Sequence, residues 1–258
     1  MAGTVLYDRD GHVATITYNR PEVRNAVNAE LRQDLNAAWE RFRDDEDAWI
    51  GIVTGAGDSF CAGADMKDPI GSAGSWPGSF WEIPTVNSYE SGLEVWKPTI
   101  AAVNGHCLGY GLTLVTRCDF VIAADDAQFG FPEVLLGVPT IVGALRLPER
   151  IGWSNAMELL LTGDRVDAAR AHEMGLAWKV VPRAELMAEA HRLADRLLQA
   201  APLAARATKE VAARGRYMPW AEAVRFGETM RRVAGTTEDA AEGRAAARER
   251  RPPTWNGR

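Results

Sequence analysis

An α/β core followed by a layer of helices is the fold class this sequence predicts, and three observations carry it. Short β-rich runs alternate with helical periodicity as far as residue 181. After Pro182 the pattern is helical almost to the end. No internal repeat or low-complexity linker interrupts either part, so the order of elements implies an α/β core of about 180–200 residues with a helical C-terminal region. We place the core at residues 1–200 and the helical region at 201–258.

Residues 5–7 and 13–18 open the chain as two strands separated by the turn Asp10-Gly11, and Arg20-Pro21 ends the second. Asn28 caps a helix whose Leu31, Leu35, Trp39 and Phe42 recur at helical spacing. Residues 49–54 form a short buried strand that runs into Gly55-Ala56-Gly57-Asp58. The stretch 68–85 is rich in Gly, Pro, Ser and Trp without periodicity and reads as a long surface loop, with Trp76, Phe80 and Trp81 as candidates to line a pocket. Residues 99–103 read as a strand, 111–116 as a helix after a glycine turn, and 119–123 as another strand. Helices follow at 144–161 and 167–174, then a strand at 176–181. The last helices are expected at 184–200, 203–214, 220–234 and 238–250.

Composition narrows the function classes. The 258 residues are 47% hydrophobic and 25% charged, the balance of a globular chain long enough to bury its own core. Acidic residues outnumber basic ones by 35 to 29, a net charge of −6 that disfavours general binding to nucleic acid or a membrane surface. Cys61, Cys107 and Cys118 are odd in number and lack zinc-ligand or CxxC spacing, which favours a reducing compartment. The N-terminus lacks the regions of a signal peptide, and no apolar run approaches a membrane span, so a cytoplasmic protein is expected. His12, His106, His172 and His191 are scattered without ligand spacing, and no metal or separate cofactor is expected. Asp44-Asp45-Glu46-Asp47 reads as a solvated helix end.

Three segments combine small residues with polar ones beside a predicted strand: Ser59-Phe60-Cys61-Ala62-Gly63-Ala64-Asp65-Met66-Lys67, Asn104-Gly105-His106-Cys107-Leu108-Gly109-Tyr110-Gly111-Leu112-Thr113, and Gln128-Phe129-Gly130-Phe131-Pro132-Glu133-Val134-Leu135-Leu136-Gly137. Small residues let a ligand approach the backbone closely. A glycine turn that opens a helix presents free N–H groups where the helix dipole favours negative charge, a receptor for an oxyanion. Taken singly, each segment is better explained by turns and tight packing.

Together, and in this order, the segments resemble the enoyl-CoA hydratase/isomerase (crotonase) family over nearly the whole chain. Asn19-Arg20-Pro21-Glu22-Val23-Arg24-Asn25-Ala26 resembles its opening motif, residues 60–67 and 103–113 its two oxyanion-hole segments, and Glu238-Asp239-Ala240-Ala241-Glu242-Gly243-Arg244 its C-terminal motif. The resemblance implies a crotonase-like spiral of repeated ββα units, with C-terminal helices that build a homotrimer or a dimer of trimers. It also implies an acyl-CoA thioester as substrate, with coenzyme A entering as part of that substrate. By motif position the amides of Ala64 and Tyr110 would grip the thioester oxygen, and Glu133 matches one catalytic glutamate. Arg24 and Lys67 would lie near the phosphates, Ala62 and the Asp65–Met66 backbone near the adenine, and Gly109 against the substrate. Arg250 would reach the site of a neighbouring subunit, and Arg231 stands where an adenine-stacking aromatic is usual.

The chain departs from the hydratases in three places. Tyr110 replaces a glycine, Thr113 replaces the second catalytic glutamate, and the turn Gly137-Val138-Pro139-Thr140-Ile141-Val142-Gly143 is altered. A threonine hydroxyl is no base near neutral pH and can only orient a water or a substrate group. Enolate stabilisation with one acid/base suits double-bond isomerisation and leaves hydration or dehydration open. A weakly active or non-catalytic CoA-thioester-binding subunit is the alternative. A nicotinamide dehydrogenase is disfavoured by the lack of a GxGxxG fingerprint.

Overall fold

The computed structural model describes residues 3–68, 88–90 and 92–258. β1 (Val5–Asp10) and β2 (Val13–Tyr18) form an antiparallel hairpin whose turn uses Gly11 at φ +55°. Asn28 starts α1 (Ala29–Asp44): its Oδ1 accepts from the Leu31 amide at 2.9 Å, and Leu31, Leu35, Trp39 and Phe42 are fully buried. β3 (Ile50–Gly55) and β4 (Thr99–Val103) are buried at every position, as strands covered on both faces must be. β5 (His106–Leu108) leads through Gly109 into α2 (Tyr110–Val115), followed by β6 (Phe120–Ala124) and β7 (Gln128–Gly130). A 3-10 turn, Pro132–Leu136, precedes α3 (Val142–Ile151) and α4 (Trp153–Thr162). β8 (Arg165–Asp167), α5 (Ala168–Glu173) and β9 (Lys179–Val181) complete the mixed part. The helical remainder is α6 (Leu186–Leu197), α7 (Pro202–Gly215), α8 (Trp220–Ala234) and α9 (Glu238–Glu249).

The strands form two sheets. The larger runs β1-β2-β3-β4-β6-β9, parallel throughout except for the opening hairpin. The smaller runs β5-β7-β8. Its three-residue strands are too short to show a period of two, which is why sequence patterning does not reveal them. α1 covers the first strands, with Trp39 stacked on Tyr89 at 3.8 Å between ring centroids, and α6 covers β4 and β6.

Three sequence expectations change. The helix expected over 144–161 is two helices, because Gly152 takes φ +78°, a value that breaks the ladder between α3 and α4. The helix expected over 167–174 starts later: Asp167 ends β8 and caps α5, accepting from the Arg170 amide at 2.8 Å. The strand expected over 176–181 shortens to β9. The loop reading for 68–85, with Trp76, Phe80 and Trp81, falls outside the described residues apart from Asp68.

Candidate active site

The site begins where β3 and β4, parallel neighbours, both end. Asn104, just past β4, donates to the Gly55 and Gly57 carbonyls at 2.7 and 3.1 Å and accepts from the Gly55 amide at 3.2 Å. Asn25, fully buried, donates to the Ala56 and Ser59 carbonyls at 2.9 and 2.7 Å. These two side chains satisfy the turn's backbone acceptors and fix the exit of the chain toward Cys61.

Two small-residue segments then run side by side. Cys61 pairs in parallel with Cys107: the Cys61 amide donates to the His106 carbonyl at 2.8 Å, and the Leu108 amide to the Cys61 carbonyl at 2.9 Å. Carried forward, that register brings Gly63 level with Gly109 and Ala64 level with Tyr110. A methyl built on Gly63 would lie 4.0 Å from the Gly109 Cα, so the backbones are in contact at this step. On its other side the first segment pairs with Val27, through the Val27 amide to the Gly63 carbonyl at 2.8 Å and the Asp65 amide to the Val27 carbonyl at 2.9 Å. Groups alternate along an extended chain, so these flanking bonds turn the Ala64 amide away from Val27. Among the described residues neither the Ala64 nor the Tyr110 amide donates a hydrogen bond, and Ala64 is exposed.

Gly109 sets the direction of α2. Its φ of 51° with ψ of −114° is denied to residues with a side chain, and its amide is held by the Gly130 carbonyl at 3.0 Å. A methyl on Gly109 would meet Glu133 Oε1 at 3.1 Å, so the Glu133 carboxyl stands against the turn that opens α2. Glu133 sits in the first turn of the 3-10 segment; its Oε2 is buried without a hydrogen-bond partner among the described residues. Burial pushes this carboxyl above the usual glutamate range, while its own backbone amide and the Thr140 hydroxyl beside it pull it partly back. Among the described residues the arrangement sets two unbonded peptide amides, one at a helix start, beside a half-buried carboxyl.

Profile matching assigns residues 8–258 to the family described as enoyl-CoA hydratase/isomerase. The chain belongs to that family. It is 38% identical to a probable enoyl-CoA hydratase of Mycobacterium bovis, over 99% of this chain and 98% of that protein. It is 36% identical to an (E)-benzylidenesuccinyl-CoA hydratase of Thauera aromatica, over 98% and 99%. The crystal structure of an enoyl-CoA hydratase from Mycobacterium tuberculosis superposes with a TM-score of 0.89 at 36% identity, covering 100% of both chains. This crotonase therefore has the spiral fold and the helical C-terminal region that the motifs imply.

The other residues singled out in the sequence divide into two groups. Arg24 is brought to the site: it is exposed, takes φ 53°, and its carbonyl accepts from the Ala62 amide at 3.0 Å. Met66 and Lys67 follow on the exposed continuation of the same segment. The Asp65 side chain is committed to structure, paired with Arg20 at 3.0 Å and accepting from the Lys67 and Asp68 amides. Those hydrogen bonds, the Lys67 amide first, hold its carboxyl below the usual range. Thr113 is buried on α2, where its carbonyl accepts from the Thr116 hydroxyl at 2.6 Å. Arg250 is exposed and caps the C-terminal end of α9 at φ 54°, and among the described residues its side chain makes no hydrogen bond to the site. Arg231 is exposed and paired with Glu228 at 2.6 Å.

Tyr110 settles its ring away from open solvent. It packs against the core and its hydroxyl donates to Glu90 Oε1 at 2.6 Å. Sequence reasoning misses Glu90, because it lies in an aperiodic stretch and in none of the motifs. Cys61 backs the site without chemistry of its own, its buried thiol pushed up to about 12. A cavity of about 740 Å³ lies elsewhere, beyond the C-terminal end of α2, lined by Arg117, Arg146, Arg150, Lys209 and the alanines of α7. Among the described residues no group of His, Cys, Asp and Glu is placed to hold a metal, and no helix is long and apolar enough to cross a membrane.

Proposed function

We propose that the protein acts on an enoyl-CoA thioester, stabilising its enolate between the Ala64 and Tyr110 amides while Glu133 carries the proton. The observation behind this reading is the contact of Glu133 Oε1 with the Gly109 turn, beside two amides that no group in the described chain engages. Loss of a proton from the acyl chain leaves an electron pair that comes to rest on the thioester oxygen. Two fixed N–H donors stabilise that oxygen most when its charge is fullest, each by roughly 2.7–4 kcal/mol in comparable oxyanion holes. A positioned proton carrier of this kind contributes about 10²–10⁴ in rate, and the raised carboxyl pKa brings Glu133 closer to the operating pH.

The CoA portion follows the same segment in this reading: Arg24 and Lys67 toward the phosphates, Ala62, Asp65 and Met66 toward the adenine, and Arg250 supplied by a neighbouring subunit of a trimer or a dimer of trimers. Thr113 favours a second reading, a CoA-thioester binder with feeble turnover, since no carboxylate stands there.

One experiment separates the two. Incubation with acyl- and enoyl-CoAs in heavy water, followed by mass spectrometry, is expected to show deuterium at the carbon next to the thioester, with a shifted double bond or added water. Glu133→Gln should abolish that exchange while CoA affinity stays the same. Undiminished exchange in the variant would remove Glu133 from the mechanism, and tight CoA binding with no exchange by the wild type would establish the binder.

A further inference from the structure

A second carboxylate stands one side chain away from the proposed oxyanion site. Glu90 is only 5% exposed, its Oε1 accepts from the Tyr110 hydroxyl at 2.6 Å, and its Oε2 is sealed from solvent with no partner among the described residues. Tyr18 is fully buried nearby, and its hydroxyl is likewise unpaired. It lies close enough to Glu90 and Tyr110 to feel both groups electrostatically. Protein interiors seldom leave a buried carboxylate oxygen or phenol donor unpaired, and each such group calls for an explanation, a catalytic role among them.

Tyr110 also sets the order of the groups along the substrate. Its amide opens α2 beside the Glu133 carboxyl, and its hydroxyl, one ring length further on, ends at Glu90. With the thioester oxygen on the amides and the α carbon at Glu133, a role for Glu90 requires the β carbon to run toward the phenol and that carboxylate. We propose that Glu90 is the second acid/base of the acyl site, activating water at the β carbon in the role that Thr113 cannot fill.

In this step Glu90 takes a proton from water, the water oxygen forms a bond to the β carbon, and the π electrons of the double bond move through the carbonyl to the thioester oxygen. The enolate then collapses, and the α carbon takes a proton from the Glu133 carboxylic acid. The product is the β-hydroxyacyl thioester; Glu90 now holds one proton and Glu133 lacks one, and exchange with solvent restores both. Dehydration is the same sequence reversed. This inference rests on the oxyanion reading above, and it assigns the chemistry to hydration and dehydration rather than isomerisation alone.

The test separates the two carboxylates by two readouts on the full-length protein. The first is net hydration of a panel of 2-enoyl-CoAs, from crotonyl-CoA to cinnamoyl-CoA. The second is deuterium exchange at the α carbon of butyryl-CoA. Glu90→Gln is expected to lower hydration by at least about 10²-fold, the usual effect of removing a general base, while exchange persists. Tyr110→Phe keeps the amide but strips Glu90 of its donor, and the same split is expected in weaker form. If Glu90→Gln fails to fold by circular dichroism, Glu90→Asp and Tyr110→Phe decide the matter by that split. Hydration by Glu90→Gln within threefold of wild type overturns the inference. So does a wild type that exchanges but hydrates no member of the panel. Loss of exchange in Glu133→Gln keeps the underlying reading in place in either case; retained exchange there would remove that reading first.

Discussion

At the residue scale, Glu133 trades stability for reactivity. Burial raises its carboxyl, so between the ordinary glutamate value of about 4.3 and the raised one the folded chain holds a proton that the unfolded chain has released. The stability linked to this group is therefore fully present below the ordinary value and declines as pH rises through the raised one. Glu133→Gln has no such proton to lose. It should melt higher than wild type at neutral pH and match it below about pH 4, as differential scanning calorimetry at both pH values would record. An equal difference at both would show that titration is not the cause. Gly109 is the second informative residue. Gly109→Ala places a methyl 3.1 Å from Glu133 Oε1 at a φ of 51°, and it should cost about 1–3 kcal/mol of stability. Displacing the carboxyl should lower kcat by roughly 10²-fold. Urea denaturation and steady-state rates check the two effects independently.

At the scale of elements, the packing of α2 depends on the absence of a side chain at Gly111. A methyl there would lie 2.7 Å from the Cys61 Cβ and 3.0 Å from its carbonyl oxygen. Gly111→Ala should destabilise by about 1–3 kcal/mol in denaturant titration, because both clashing atoms belong to rigid backbone or its first carbon. The cap of α1 is a separate device: Asn28→Ala removes the bond to the Leu31 amide and should cost about 0.5–2 kcal/mol in the same assay. Local features of this kind are legible in the amino-acid order itself. The buried stripe of α1 follows from spacing, and the segments around Ala64 and Tyr110 stand out by their small residues beside strand ends. The strands β5, β7 and β8 are not legible, since each exists only through its partner. The break at Gly152 is also hidden, because apolar spacing continues across it. Glu90 escapes for a third reason: its packing involves the Tyr110 hydroxyl, which is distant in sequence.

At the scale of the whole molecule, this crotonase leaves large apolar side chains uncovered. Leu135, Leu145, Trp153, Leu161 and Trp220 are each more than two-thirds exposed, and the 3-10 turn bearing Leu135 packs on α4, which bears Leu161. Exposed apolar surface of this kind is what contact between subunits would cover in the proposed assembly. Sedimentation should give a mass that is a multiple of 28.2 kDa, with Leu161→Arg shifting the distribution toward the monomer. A monomeric wild type would refute the assembly. The pairing of segment 61–64 with 106–109 has an evolutionary corollary. The Ala64 and Tyr110 N–H groups at its end, unengaged among the described residues, belong to the polypeptide itself, so substitution in these segments can change every neighbouring side chain without deleting either donor. Proline alone erases one, which makes Ala64→Pro and Tyr110→Pro the point changes that such drift must avoid.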